Sequence, residues 1–471
     1  MIIGRIKEIE MLKATTADDK SHFIAIYGRR RIGKTFLIRE VFNNRFTFEH
    51  TGLSSGKTKQ QLHAFQLSLN NCGYTPKKRI KTWLDAFDEL KGLIQSSNEK
   101  KKIIFIDELS WMDTNKSDMI VALENFYNSF VAARNDVVLI VCSSATSWIL
   151  KKVIHNKGGL YNRLTEQINL KSFSLGECEE YVKSQGLVLT RDQIIQGYMI
   201  MGGVPYYWGL LKKGLSLSQN IDELFFNENS QLKNEFKYLY SSIFKNPEIY
   251  VKIIDQLSKT KSGITREELA REIKTTNNGN FGEKLEELEA CEFIKKTNNF
   301  STKKKGSLYK LVDNYTLFYY SFLKDKPSDP HFFSNQINTP KINTWLGLSF
   351  ENICFTHISK IKEKLSINGV HTNVCSYRCF KDEEKGIFGS QIDLLIIRED
   401  KVINLCEIKY SQSEFTPNKE FENSMKRKIN DLTINTKTKY AIYPTLITNI
   451  GLVNNSYSDS IQSLVIGDDL F

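Results

Sequence analysis

The sequence has no apolar run approaching the roughly 20 residues that a bilayer-spanning helix requires, which argues against a membrane protein. Its opening, Met1-Ile2-Ile3-Gly4-Arg5, carries none of the pattern of a secretory signal, and a cytoplasmic location is expected. Cysteine is sparse. The eight cysteines are scattered over 471 residues, without the dense spacing of a disulfide scaffold. Cys375 and Cys379 make a C-x-x-x-C with no second pair, which reads as two neighbouring reduced thiols rather than half of a zinc site. An acidic surplus is missing too. The net charge is +11, and because 16 basic residues balance 16 acidic ones from Lys341 onward, the whole excess lies in residues 1–340. A basic first part suits an acidic partner such as nucleic acid. No tract reads as a second, strand-translocating motor lobe, which disfavours a helicase. What remains is a globular composition, 41% apolar and 25% charged, in a chain long enough for about three domains.

The stretch that organises the rest is Gly28-Arg29-Arg30-Arg31-Ile32-Gly33-Lys34-Thr35, a G-x-x-x-x-G-K-T. Phe23–Tyr27 leads into it as a buried strand, and Phe36-Leu37-Ile38 leads out with helical spacing. Glycines let the backbone wrap a phosphate chain with its N–H groups turned inward, at the positive end of a helix. Gly28 through Phe36 are therefore expected to bind ATP, with Lys34 on the β- and γ-phosphates and Thr35 helping to hold Mg²⁺. About seventy residues later, Ile103–Ile106 ends in Asp107 and Glu108, carboxylates at the carboxyl end of a buried strand. Asp107 is expected to hold Mg²⁺ through water, and Glu108 to polarise the attacking water. A third buried strand, Asp136–Cys142, ends in Ser143 and Ser144, which either sense a γ-phosphate or cap the next helix. Arg163, before the strand Glu166–Leu170, is either a stabiliser of transition-state charge, in this chain or a neighbouring copy, or a surface arginine. Gly52–Thr58 imitates the first glycine loop, but its glycine spacing is too short to close around a phosphate.

These features carry a resemblance. The G-R-R-R-x-G-K-T loop, the strand ending in Asp107-Glu108, Gly158-Gly159-Leu160-Tyr161-Asn162-Arg163 and Gly202-Gly203-Val204-Pro205-Tyr206-Tyr207 resemble the archaeal-type AAA+ ATPases, near the STAND-like signalling ATPases. Ile3-Gly4-Arg5-x-x-Glu8 resembles the box that packs beside adenine in such proteins. The resemblance covers roughly residues 1–240 and implies a parallel-sheet core over 1–175 with a helical lid over 176–244. Where the family pattern carries a second basic residue after the arginine, Leu164 stands here.

Residues 245–326 have the spacing of a winged helix. Helices are expected at Ile249–Leu257, from Ile264 with Thr265 and Glu268 as a capping box, and at Phe281–Cys291, and short strands at Phe293-Ile294 and Tyr309–Leu311 flank a basic turn, Lys303–Lys305. The third helix carries Glu283, Glu286, Glu287 and Glu289, so phosphate would repel it and it is not expected to read bases. Pro327–Pro340 reads as a linker, and Lys341–Leu365 as one long helix.

Residues 341–471 carry a second cluster. Ser390–Ile397 and Val402–Lys409 read as two strands about a turn at Arg398–Lys401. Glu407 and Lys409 share a face, and pairing centred on Asp400 sets Asp393 opposite Glu407, a register that needs an odd loop or a bulge. Two carboxylates and a lysine so placed suit phosphodiester cleavage. Asp393 and Glu407 would hold Mg²⁺ or Mn²⁺, Lys409 would orient the nucleophile, and Glu351 could add a ligand from its helix. A hairpin with a solvated polar face gives the same letters. The pattern resembles the restriction-endonuclease-like D…E-x-K signature, and such a domain also occurs attached to the ATPases named above. The expectation is therefore an α/β multidomain protein: a P-loop AAA+-type parallel sheet with a helical lid, a winged helix, and a C-terminal α/β restriction-endonuclease-like domain. ATP would regulate a Mg²⁺- or Mn²⁺-dependent nuclease acting on nucleic acid, DNA ahead of RNA, with self-association possible and no membrane partner. The competing expectation is a signalling or scaffold switch with an inactive C-terminal binding module.

Overall fold

Apolar, β-branched runs alternating with amphipathic helices leave few arrangements besides a parallel sheet with helical crossovers. The computed structural model describes residues 2–244, 246–260, 263–297, 307–325 and 327–471. Its first sheet consists of β1 (His22–Tyr27), β2 (Phe48–Thr51), β3 (Lys102–Asp107), β4 (Val137–Ser143) and β5 (Glu166–Asn169). The order is β2-β3-β4-β1-β5 and every pairing is parallel. β4 is buried along its whole length, as its run of Val, Leu and Ile requires of a central strand. Phe23, Phe48, Ile104 and Leu139 join an aromatic-rich core on one face, while Ile24, Phe105, Val138 and Ile140 pack with Leu12, Leu37 and Ile38 on the other. The sheet belongs to a compact unit made of Met1–Ser172 and Leu239–Pro247.

A second unit comprises Phe173–Tyr238 and Glu248–Phe471. The residues expected as lid, three-helix module and C-terminal domain thus fall largely into one unit. In its first part, Gly203 lies against Phe173, whose carbonyl oxygen would be 1.9 Å from any Cβ at that position, so only glycine fits. Helices Pro247–Ser258, Arg266–Glu272 and Gly279–Ala290 accompany a three-stranded antiparallel sheet of β6 (Ile264–Thr265), β7 (Ile294–Thr297) and β8 (Leu308–Leu311), in the order β6-β8-β7. Thr265 caps the middle helix, with Glu268 completing the box. The basic turn Lys303–Lys305 lies outside the described residues.

The stretch expected as a linker is built into the fold. Phe332–Gln336 is a helix, Phe333 is buried, and the Phe333 and Ser334 N–H groups donate to the buried Asp222 carboxylate at 2.8 and 3.1 Å. The long helix expected over Lys341–Leu365 is two helices, Pro340–Thr356 and Ile358–Lys364, parted at His357. Burial holds the His357 pKa down, to about 4, so the ring stays neutral, and its Nε2 accepts the Leu175 N–H at 3.1 Å.

The C-terminal sheet is mixed and separate from the first. β9 (Thr372–Cys379), β10 (Ser390–Arg398) and β11 (Val402–Lys409) are antiparallel; β12 (Ala441–Thr448) and β13 (Ser463–Val465) continue parallel to β11, in the order β13-β12-β11-β10-β9. The Lys419–Thr436 helix covers one face through Phe421, Met425 and Leu432. No described helix is long and apolar enough to cross a membrane.

Candidate functional site

The first candidate site sits at the carboxyl end of β1. Gly28 has φ +143°, and a Cβ there would come within 2.2 Å of the Leu170 carbonyl oxygen, so the turn out of the strand requires glycine. Gly33, at φ +90°, begins the Lys34–Val41 helix. Ile32 is buried among the core residues behind the loop, and Phe36 is half exposed on the helix. Lys34 Nζ donates to the carbonyls of Gly28 (3.0 Å) and Arg29 (2.9 Å), folding back across the loop that would receive phosphate. The Thr35 hydroxyl donates to Asp107 at 2.6 Å, which brings the two residues expected near Mg²⁺ together across 72 positions of chain.

Glu108 follows β3 with a left-handed backbone, φ 48°, uncommon for a side chain of its size. Its carboxylate accepts from the Ser144 hydroxyl (2.9 Å) and N–H (3.1 Å), and burial raises its pKa against the pull of Lys34. Ser144 therefore positions Glu108. Ser143 pairs with Ser110 at 2.9 Å and accepts the Ala145 N–H at 3.1 Å, which makes it a turn-holder at the end of β4. Arg5 is buried and donates to the Lys171 carbonyl beside the Leu170 that backs Gly28, so the N-terminal segment adjoins the cradle.

Arg163 stands apart from these residues. It precedes β5, whose first residue, Glu166, pairs with Ile24, so it stands toward the amino ends of strands whose carboxyl ends carry the cradle. It is exposed and its charge acts on Tyr127. A strand's length separates it from the nucleotide loop of its own chain, roughly 3.3 Å per residue. That placement suits a surface arginine, or one that serves a neighbouring copy.

Residues 3–211 match the family described as an ATPase domain predominantly from Archaea. Over that range the chain is similar to an archaeal-type ATPase domain. Over most of the chain, an uncharacterized protein of Methanocaldococcus jannaschii is 23% identical over 424 residues, covering 87% of this chain and 88% of that one. An uncharacterized ATP-binding protein of the same organism is 40% identical over 45 residues, 10% of this chain and 76% of its own. Among solved structures, the Walker-type ATPase of Pyrococcus abyssi aligns over 67% of this chain and 95% of its own, at 15% identity and a TM-score of 0.47. The ORC2 protein of Aeropyrum pernix aligns over 75% and 95%, at 12% identity and a TM-score of 0.43.

The second candidate site follows the ATPase domain, on the C-terminal sheet. Leu394 pairs with Cys406, Leu395 with Leu405 and Ile397 with Ile403, so the pairing is centred on Asp400 and carries Asp393 toward Glu407. On the other side of β10 the register with β9 slips between Ile392 and Leu395, an irregularity that spans Asp393 and Leu394. The odd register expected from the sequence is thus the one formed. Glu407 is buried and held by two ammonium groups, Lys409 at 2.9 Å and Lys428 at 2.5 Å. Burial opposes its charge, but Lys428 and Lys409 outweigh that and bring its pKa below the usual carboxylate range. Burial, then the charge of Glu407, raises Asp393. Glu351 is pushed up to about 7 by burial first and the Asp393 charge second, with Lys310 opposing at 3.6 Å. Lys409 keeps a raised pKa because Glu407 and Asp393 outweigh its burial.

The four residues expected on the sequence (Glu351, Asp393, Glu407 and Lys409) therefore act on one another electrostatically. Two more belong with them, Lys428 on the Lys419–Thr436 helix and Lys310 on β8. The run Lys426-Arg427-Lys428 was the available signal for the first; nothing local marks the second. Among the described residues no group of three or more His, Cys, Asp or Glu side chains is arranged to hold a metal ion.

Proposed function

We propose that the archaeal-type ATPase domain binds and hydrolyses ATP with Mg²⁺, and that its nucleotide state regulates a metal-dependent nuclease centre at Glu351, Asp393, Glu407 and Lys409. The observation that carries the second half is the crowding of like charge: Glu351 and Asp393 are both driven toward their neutral forms, by burial and by the next carboxylate. Oxygen donors that repel one another are a donor set that a hard divalent cation relieves. Mg²⁺ or Mn²⁺ held by Asp393 and Glu407 would supply a hydroxide and stabilise charge on the phosphate. Lys409 and Lys428 hold the Glu407 carboxylate in place, and either ammonium would be a donor for a phosphate oxygen. At the other site, Glu108 orients the attacking water after leaving Ser144, and Lys34 moves from the Gly28 and Arg29 carbonyls to the phosphates.

The three helices and antiparallel sheet over Pro247–Leu311 are read as a winged helix whose third helix does not enter a groove. Glu287 on that helix is bonded to Tyr250, and its neighbours are carboxylates. The substrate is a nucleic acid, in keeping with the basic excess of residues 1–340. Arg163 serves at most a neighbouring copy, through self-association. The reading sits with a cytoplasmic protein.

A switch or scaffold with an inactive C-terminal module is the second reading, favoured by one observation: two lysines already neutralise Glu407. End-labelled DNA and RNA incubated with the full chain, ATP and Mg²⁺ or Mn²⁺ separate the two. Cleavage that Asp393→Ala abolishes, while ATP hydrolysis continues, supports the nuclease. Absence of cleavage with either metal removes it and leaves the switch.

A further inference from the structure

A cavity of about 300 Å³ opens beside the carboxylate centre, within the second unit. One wall is the three-stranded sheet, which contributes Lys295 from β7 and Lys310 from β8; the other contributes Phe355, Arg378, Phe380 and Asp393. The cations cluster around rings. Lys295 Nζ stands 5.6 Å and Lys310 Nζ 6.0 Å from the centre of the Phe355 ring, and the Arg378 guanidinium carbon is 5.1 Å from that of Phe380. Phe380 is 76% exposed, so beside the Arg378 contact most of its ring stays open to a further partner. The sheet also reaches the acids, through Lys310 and Glu351.

A structural purpose accounts for part of this, since one ion pair and one buried ring edge would fasten the sheet to the Pro340–Thr356 helix. It does not account for Lys295, Arg378 and an exposed phenylalanine converging on one opening whose floor is acidic. That combination matches a nucleotide: a phosphate for the cations, a base for the ring, and the next phosphodiester over the carboxylates. Size narrows the class. The volume is at the small end of ligand sites and takes about one nucleotide. A base paired and stacked within a duplex cannot offer its face to Phe380 without first leaving the stack, which costs unstacking and unpairing energy.

We propose that this cavity binds one nucleotide of a single-stranded nucleic acid, with its base against Phe380 and its phosphate between Lys295, Lys310 and Arg378, and so selects single strands for the adjacent centre. The proposal rests on the nuclease reading of that centre and names its substrate. Stacking ignores base identity, so the site is indifferent to sequence.

The test is fluorescence anisotropy on the full chain in EDTA, with labelled oligothymidylate, labelled oligouridylate and a blunt DNA duplex of equal length. At least one single strand should bind about tenfold or more tightly than the duplex, and the better of the two identifies the DNA or RNA source. Lys295→Glu and Phe380→Ala should each weaken that binding by about tenfold with an unchanged thermal melt, as expected for loss of one stacked base or one phosphate contact. Equal or tighter binding of the duplex overturns the proposal, and so does single-strand affinity that ignores both substitutions. Because the chelator prevents cutting, the outcomes are separable. A chain that binds single strands yet never cuts keeps this site and loses the nuclease, whereas one that cuts but prefers duplexes does the reverse.

Discussion

Two ammonium groups compete for the Glu407 carboxylate, Lys409 from its own strand and Lys428 from the covering helix. A divalent cation must displace at least one of them, and each also repels it. Lys428→Ala removes a competitor and leaves Lys409 to keep Glu407 charged. Mn²⁺ should then bind the variant more tightly, by up to about tenfold, as isothermal titration would measure. Weaker binding would mean that Lys428 assembles the site rather than guarding it. Lys34 shows the same economy at the cradle. It is held on the carbonyls of Gly28 and Arg29, which a phosphate would have to replace as its partners.

At the scale of elements, a carboxylate does for residues 332–336 what a linker could not. Asp222 is buried and accepts the N–H groups of Phe333 and Ser334 and the Ser334 hydroxyl. Asp222→Ala would strand two backbone donors in a dry site, at a cost of about 2–4 kcal/mol, read as a lower urea midpoint for the second unit. The sequence hid this helix for a physical reason. Prolines at 327, 330 and 340 signal chain breaks, but the burial of Phe332-Phe333 against Phe226 and Asp222 depends on residues a hundred positions away. Where the determinants are local, the reading is accurate. The Thr265–Glu268 capping box starts its helix, the run Val402–Lys409 is a strand with those bounds, and the turn about Asp400 fixes the register. Partners supplied by distant elements stayed invisible, Lys310 from β8 and Lys428 from a later helix among them. Arg163 was legible as a residue type, but only the pairing of Glu166 with Ile24 shows which end of the sheet it occupies.

For the whole molecule, the cradle and the carboxylate centre lie in different compact units, and the chain passes from one unit to the other after Ser172, Tyr238 and Pro247. If nucleotide state governs cutting, the difference between ATP-bound and empty cradles must be felt at the carboxylate centre. Glu108 and Lys34 allow the two states to be held apart. Glu108→Gln keeps the Ser144 hydrogen bond and the side chain's shape while removing the charge that polarises water, so it should bind ATP and hydrolyse it at least about a hundredfold more slowly. Lys34→Ala removes the charge that meets the phosphates and should leave the cradle empty. Under regulation by nucleotide, the two variants fall on opposite sides of the wild-type cleavage rate in the presence of ATP. With an intact centre and no coupling, both match the wild-type rate while differing in ATP occupancy. Measuring cleavage and ATP binding on the same three proteins distinguishes these outcomes, because occupancy certifies the cradle independently of what the second unit does.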